Sequence, residues 1–212
     1  MTPTDLLNVA QLGITSGTAW ADKYPTMTAM FITQQDYLQH HLDMRTTALA
    51  QIANNDARNQ TIAALKGINT TINTHTKFLK NYLLEEFADQ AKNYYTGYGM
   101  VLDNKSYRIA IDNDRRMSAL DTLIAELQKA NNPLANKKYG LAFWIALRDG
   151  HRFHWTNLKN YDGNRSMNSD SLTQAKKEAL GLQSKLRSLL KINYSSNYKA
   201  VWRDFGFQNE KY

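Results

Sequence analysis

Apolar residues recur along most of this chain in alternating steps of three and four, the spacing that gathers them on one side of an α-helix. Met27, Met30, Phe31, Leu38, His41, Leu42, Arg45, Leu49 and Ile52 predict a helix of about seven turns, begun at Lys23-Tyr24-Pro25-Thr26, where Pro25 suits a first turn. Asn54-Asn55-Asp56 reads as a polar break, and so short a link favours an antiparallel neighbour. Ile62, Leu65, Ile68, Ile72, His75, Leu79, Tyr82 and Leu83 form the next stripe. It persists through Thr70, Thr71, Thr74 and Thr76 because burying one large apolar side chain, at about 1.5–3 kcal/mol, outweighs the few tenths lost at each Thr.

Helical spacing is lost over residues 93–113, which read as a connector whose Tyr94, Tyr95, Tyr98 and Tyr107 pack over a bundle end or line a ligand cleft, the need to anchor a long connector favouring packing. A third helix over residues 114–130 carries Met117, Leu120, Leu123, Ile124 and Leu127 and stops at Asn131-Asn132-Pro133. The fourth, residues 139–158, carries Phe143, Trp144, Leu147, His151, His154, Trp155 and Leu158, and ends at Asn160-Tyr161-Asp162-Gly163-Asn164, a loop by composition. A fifth follows Asn168-Ser169-Asp170 with Leu172, Ala175, Ala179, Leu182, Leu186, Leu189, Leu190 and Tyr194; a short last helix runs from Ser195-Ser196-Asn197 to Trp202 or Phe205 and is stopped by Gly206. At the other end, the segment from Thr4 to Ala21 has Leu6, Leu7, Val9, Ala10 and Leu12, but Gly13 and Gly17 weaken a helix there.

The chain also echoes itself. Lys23-Tyr24 to Lys80-Asn81-Tyr82 is matched by Lys138-Tyr139 to Lys191-Ile192-Asn193-Tyr194, each copy holding two striped segments around a polar break. The predicted fold is therefore all-α: an antiparallel up-and-down helical bundle built from two duplicated helical hairpins plus shorter helices. It is expected to be a single domain over residues 1–212, with repeat 1 over residues 4–92, the connector at 93–113 and repeat 2 over residues 114–205.

Composition narrows the chemistry. With Cys 0, disulfides, thiolate metal sites and Cys nucleophiles are excluded. The N-terminus lacks the basic and apolar regions of a signal peptide and no window has the apolar length of a membrane span, which points to a soluble, cytoplasmic protein. The net charge of +7 is uneven: residues 1–136 carry 12 Lys/Arg against 13 Asp/Glu, whereas residues 137–212 carry 14 against 6. A basic, aromatic-interleaved second half offers an anion-binding or nucleic-acid-binding reading on Lys176, Lys177, Lys185, Arg187, Lys191, Lys199 and Arg203 beside Tyr194, Tyr198 and Trp202. Against it, these charges spread around the polar side of a helix, and the rings fall where packing wants them.

Histidines give the remaining candidate chemistry. His151 and His154 lie three apart on one helical face, His41 stands in the corresponding place of the first copy beside Tyr37 and His40, and His75 sits on the neighbouring stripe, a set that can be read as metal ligands. The Glu-x-x-His pairs of metal-binding bundles and the His-Glu-x-x-His motif are both missing. Adjacent Glu85 and Glu86 point to different sides of a helix, Asp112 and Asp114 suit helix capping, and Gly97-Tyr98-Gly99 lacks the third Gly of a phosphate loop. No catalytic constellation and no cofactor is assigned.

Lys138-Tyr139-Gly140-Leu141-Ala142-Phe143-Trp144, Asp162-Gly163-Asn164 and the ending from Trp202-Arg203-Asp204-Phe205-Gly206-Phe207 to Gln208-Asn209-Glu210-Lys211-Tyr212 resemble an uncharacterised family of helical-bundle proteins from Bacteroides-type bacteria. The resemblance spans residues 114–212 and implies an all-α fold; it brings no activity, cofactor or functional residue. The sequence thus reads as a non-enzymatic binding or structural module that offers a helix face to a protein partner.

Overall fold

Two helices of unusual length dominate the chain. The structure, a computed structural model, describes residues 3–207, so the tail Gln208-Asn209-Glu210-Lys211-Tyr212, with the end of the motif that carries the family resemblance, lies outside the described residues. In chain order the elements are α1 (Pro3–Lys23), α2 (Gln34–Phe87), a 3-10 turn (Ala88–Gln90), α3 (Ala91–Tyr94), β1 (Met100–Asp103), β2 (Ser106–Ile109), α4 (Asn113–Leu127), α5 (Leu141–Asn193) and α6 (Tyr198–Asp204). The fold is predominantly all-α, with one two-stranded sheet among the described residues. No described helix is long and apolar enough to cross a membrane.

The polar breaks expected at Asn54-Asn55-Asp56 and Asn160-Tyr161-Asp162-Gly163-Asn164 do not interrupt the backbone: α2 is 54 residues long and α5 is 53. What carries α2 through is phase. Its buried positions Tyr37, His41, Met44, Ala48 and Gln51 lie on the same seven-residue repeat as Leu65, Ile72, Thr76, Leu79 and Leu83, with Asn55, Arg58 and Ile62 in register between them. Three polar residues without Pro or Gly cost a helix only a few tenths of a kcal/mol each, too little to stop it. In α5 the spacing from Trp144 through His151 and Leu158 to Leu172 and Ala179 likewise keeps one repeat across the expected loop.

The start of α2 also differs from expectation. Residues 24–33 form turns, and the helix begins at Gln34, capped by Thr33, whose hydroxyl accepts the Asp36 N–H at 3.0 Å and donates to the Asp36 carboxylate at 2.7 Å. The Trp20 indole N–H donates to Met27 O at 2.9 Å and holds the turn. Met30, assigned above to the stripe, is fully exposed, and Leu42 and Leu49 lie on the exposed flank of the seam.

The chain divides into two compact units whose limits, Asp56/Ala57 and Tyr161/Asp162, fall inside α2 and α5. The first unit joins α1 and α6 to the early part of α2 and the late part of α5, which run antiparallel: His41 meets Gln183, and Met44 shares a recess with Leu172. Its core comprises Trp20, Tyr37, Leu186, Leu190, Val201 and Phe205, with a second cluster of Leu6, Ala10, Met44, Ala48, Leu172 and Ala179. Gly13 and Gly17 do not break α1; they let it approach α2. A Cβ on Gly13 would stand 1.7 Å from the His41 ring.

The second unit, Ala57–Tyr161, packs the late part of α2, the early part of α5 and α4 around Ile72, Leu79, Leu83, Leu120, Leu123 and Trp144. Of the four connector tyrosines, Tyr95 and Tyr98 are buried here, Tyr107 is half-buried and Tyr94 is exposed. It also contains the β1–β2 hairpin, which the sequence reading passes over.

Two outcomes check this architecture. Gly163 sits in the interior of α5 with nothing within 4 Å of an added Cβ, so Gly163→Ala is expected to raise stability by about 0.5–1 kcal/mol in urea titration, whereas Asn55→Pro lowers it by about 3 kcal/mol or more. Near-neutral effects of both would show the loops that composition suggests. Leu186→Ala, at a fully buried site, is expected to cost about 2–5 kcal/mol.

Candidate functional site

The β-hairpin of the second unit is the element around which concave surface gathers. Its strands pair antiparallel in the register Met100↔Ile109, Val101↔Arg108, Leu102↔Tyr107 and Asp103↔Ser106. The two-residue turn places Asn104 at φ 46° and Lys105 at φ 66°, the paired left-handed geometry whose twist matches that of the flanking strands. Buried Met100 and Ile109 face each other and anchor the hairpin, and the Arg108 guanidinium donates to the Asp103 carboxylate on the other face.

Three contacts fix the hairpin's direction. Gly99, at φ 72°, lies so close to α4 that a Cβ would stand 2.1 Å from Ala119 O, so only glycine lets β1 start there. Arg116 is buried and ties the strand exit to α2: its Nε donates to Ala110 O at 2.7 Å and its Nη2 to Asn73 Oδ1 at 3.1 Å. Burial pulls its pKa down from the ordinary arginine value. Asp112 caps α4 by accepting the Arg115 backbone N–H at 3.0 Å.

So held, the hairpin stands between two recesses. The larger, about 870 Å³, is lined by every residue of β1 and none of β2, and is walled opposite by Arg115, Ser118, Ala119 and Thr122 of α4. A smaller one of about 260 Å³ takes in all of β2 together with Asn73, Thr76, Lys77 and Lys80 of α2. Val101, Leu102 and Ile111 in the larger groove are 49%, 62% and 59% exposed, a concentration of apolar surface in water. With two strands in the described sheet, the side of β1 turned from β2 carries the Leu102 N–H and C=O without a strand partner, while the Met100 N–H donates to Tyr95 O at 3.0 Å.

Most charges on α4 are already engaged. Asp114 accepts the Trp155 indole N–H at 2.8 Å and stands 3.6 Å from Lys159 Nζ; that indole bond, with the lysine, holds its carboxyl below the usual range. Asp121 accepts from Arg148 and Arg152, and Glu126 pairs with Lys129 at 2.6 Å. Among the described residues, exposed Arg115 has no such partner.

The predicted histidine set is distributed over separate surroundings. His41 lies in the first unit; His75, His151 and His154 lie in the second. His41 Nδ1–H donates to Tyr37 O at 2.8 Å, so its Nε2 accepts from the Gln183 amide at 3.3 Å, while that amide also donates to Val9 O at 2.8 Å. Burial, against the pull of the Tyr37 carbonyl and with help from neighbouring His40, lowers its pKa. His151 Nε2–H donates to Asn113 Oδ1 at 3.2 Å and its Nδ1 faces Met117 Sδ at 3.1 Å. Burial first, and Arg116 second, against the pull of Asp114, push it down to about 4. His75 donates to Thr71 O and packs against Tyr139 and Phe143, and His154 packs against Phe153. Among the described residues, no three His, Asp or Glu converge as metal ligands do.

The seven basic candidates all fall in the first unit. Lys185 lies over Phe31, Arg187 over Phe207 and Lys191 over Tyr198, and the Trp202 indole donates to Arg187 O, so the interleaved rings are engaged within the fold. Lys177 and Lys185 share a recess with His40 and Glu178; Lys176 is half-buried, and Lys199 and Arg203 are on α6. Folding also redistributes the charge. Residues 1–56 with 162–212 hold 11 Lys/Arg against 10 Asp/Glu, a net of +1, while residues 57–161 hold 15 against 9, a net of +6. The C-terminal excess divides evenly, +4 in residues 137–161 and +4 in residues 162–212, and the latter is offset by the −3 of residues 1–56, so the unit that carries the hairpin keeps most of the net charge.

The two buried imidazoles make stability depend on pH. A free imidazole takes its proton near the ordinary value of 6.5, whereas His151 in the folded chain resists until about 4. The unfolded state therefore binds more protons in this interval, and stability falls as pH drops through it and levels off below. The urea midpoint is expected to decline across that window. In His151→Asn the decline should be smaller, the remainder coming from His41; an unchanged profile would show that His151 is not buried neutral.

Compared with protein-family models, with curated proteins and with solved structures, the chain matches none.

Proposed function

We propose that this protein is a binding module that acts through protein contacts, and that its contact site is the groove between β1 and α4. The observation that carries the reading is the coincidence of a strand side without a partner and exposed Val101, Leu102 and Ile111 in one groove of about 870 Å³. An extended segment laid along β1 would satisfy the strand's open backbone groups and cover the apolar side chains together, which is how strand addition combines affinity with selectivity. The support for the hairpin favours a preformed site: Gly99, Arg116 and the Asp112 cap hold its base before any partner arrives, which reduces the ordering cost of binding. This places the contact on a strand edge, where the sequence suggested a helix face.

The test is selection from a random-peptide display library on the intact protein, followed by amide hydrogen exchange with a synthetic copy of the selected peptide. New protection is expected at Leu102, whose amide points away from β2, and Val101→Glu/Leu102→Glu, which alters only exposed side chains, is expected to abolish binding while leaving the urea midpoint within error. Failure to select any peptide, or protection confined to α5 and α6, would overturn the proposal.

A further inference from the structure

We infer that the groove selects a segment with an acidic side chain, and that Arg115 is the residue that reads it. The inference rests on the groove being the contact site, and goes further in naming the partner's chemistry. Its basis is an account of the charges along the groove. Asp103 is bound to Arg108, and Asp112 spends its carboxylate on the first turn of α4. Asp114 and Asp121 turn to α5, where Trp155, Lys159, Arg148 and Arg152 hold them, and Glu126 pairs with Lys129. Arg116, next to Arg115 in sequence, is buried and committed to Ala110 O and Asn73.

What remains on the wall facing β1 is the exposed Arg115 guanidinium, with Lys105 exposed at the turn of the hairpin. Neither has an ion-pair partner among the described residues, and both sit in the unit of net charge +6. A guanidinium presents two parallel N–H donors that match the two oxygens of a carboxylate, so it discriminates an acidic side chain by geometry as well as by sign. Side chains of an extended segment alternate between its two faces. A segment along β1 therefore places every second residue toward one wall, and the partner that matches has an Asp or Glu for Arg115 with apolar residues at neighbouring positions for Leu102 and Ile111.

The experiment compares the display-selected peptide, and the same peptide with its acidic residue changed to the amide, on wild-type protein and on Arg115→Gln. Selected peptides are expected to share one acidic position. Either change alone should weaken binding by about tenfold, the two together by no more than one alone, and Arg115→Glu should turn the preference toward a peptide with Lys at that position. Arg115→Gln changes an exposed side chain, so hydrogen exchange should still protect β1 at saturating peptide. Protection of β1 by peptides without a common acidic residue, or an affinity untouched by Arg115→Gln, would overturn this inference and leave the groove standing. Failure to select any peptide would overturn both.

Discussion

Everything in this fold depends on two helical seams that stay in phase through their polar middles. In α2 the seven-residue repeat that buries Tyr37 and Met44 in one unit also buries Leu79 and Leu83 in the other. Shift the repeat by one position at Asn55 and the late half of α2 would turn its leucines to water. Because the phase holds, the same is true of α5, where Trp144 belongs to one core and Leu186 to the other. The polar residues between are where the apolar contacts thin out, and there the chain divides into its two compact units.

Within each unit a buried imidazole stands where three helices meet, and in each case its two nitrogens are engaged by neighbours that ask it to be neutral. His41 takes the room that Gly13 leaves and links α2 to α5 through Gln183; His151 links α5 to the first turn of α4 through Asn113. A leucine in either place would fill the volume and lose the direction of the hydrogen bonds. Such positions select one helix register over its neighbours. In the second unit the same concern with position continues out to the hairpin, whose exposed strand is aimed by a glycine, a buried arginine and a helix cap. The groove follows from that aim, since β1 begins against Ala119 and α4 forms the wall opposite it.

Much of the fold was legible in residue spacing. The late stripe of α2, the stripe of α4 and both stripes of α5 appear in the order and nearly at the positions that periodicity indicates, and Gly206 ends the last helix at φ 73°. Errors cluster where composition was allowed to overrule phase: Asn54-Asn55-Asp56 and the Asp162-Gly163-Asn164 stretch look like loops, yet the repeat crosses them unshifted. At the start of α2, Pro25 was the louder signal and Thr33-x-x-Asp36 the true cap. The hairpin was there to be found in Met100-Val101-Leu102-Asp103 and Ser106-Tyr107-Arg108-Ile109 around Asn104-Lys105, but without a glycine in the turn the pattern was weak.

By itself the sequence determined that this chain is built mostly of helices and many of the residues that avoid water, because local spacing and side-chain hydrophobicity are properties of neighbouring residues. It also set the chemistry on hand: no thiol, few histidines and an excess of positive charge. Only the tertiary structure decided which segments share a core, since α2 and α5 each contribute to two units, and no linear count could foresee that the basic surplus of residues 137–212 would be divided evenly between the units and offset by residues 1–56 in only one of them. Arg115 shows the same limit most plainly. It stands next to Arg116 in the chain, and burial and the pairing of every neighbouring carboxylate are what make one of them a structural tie and leave the other open to a partner.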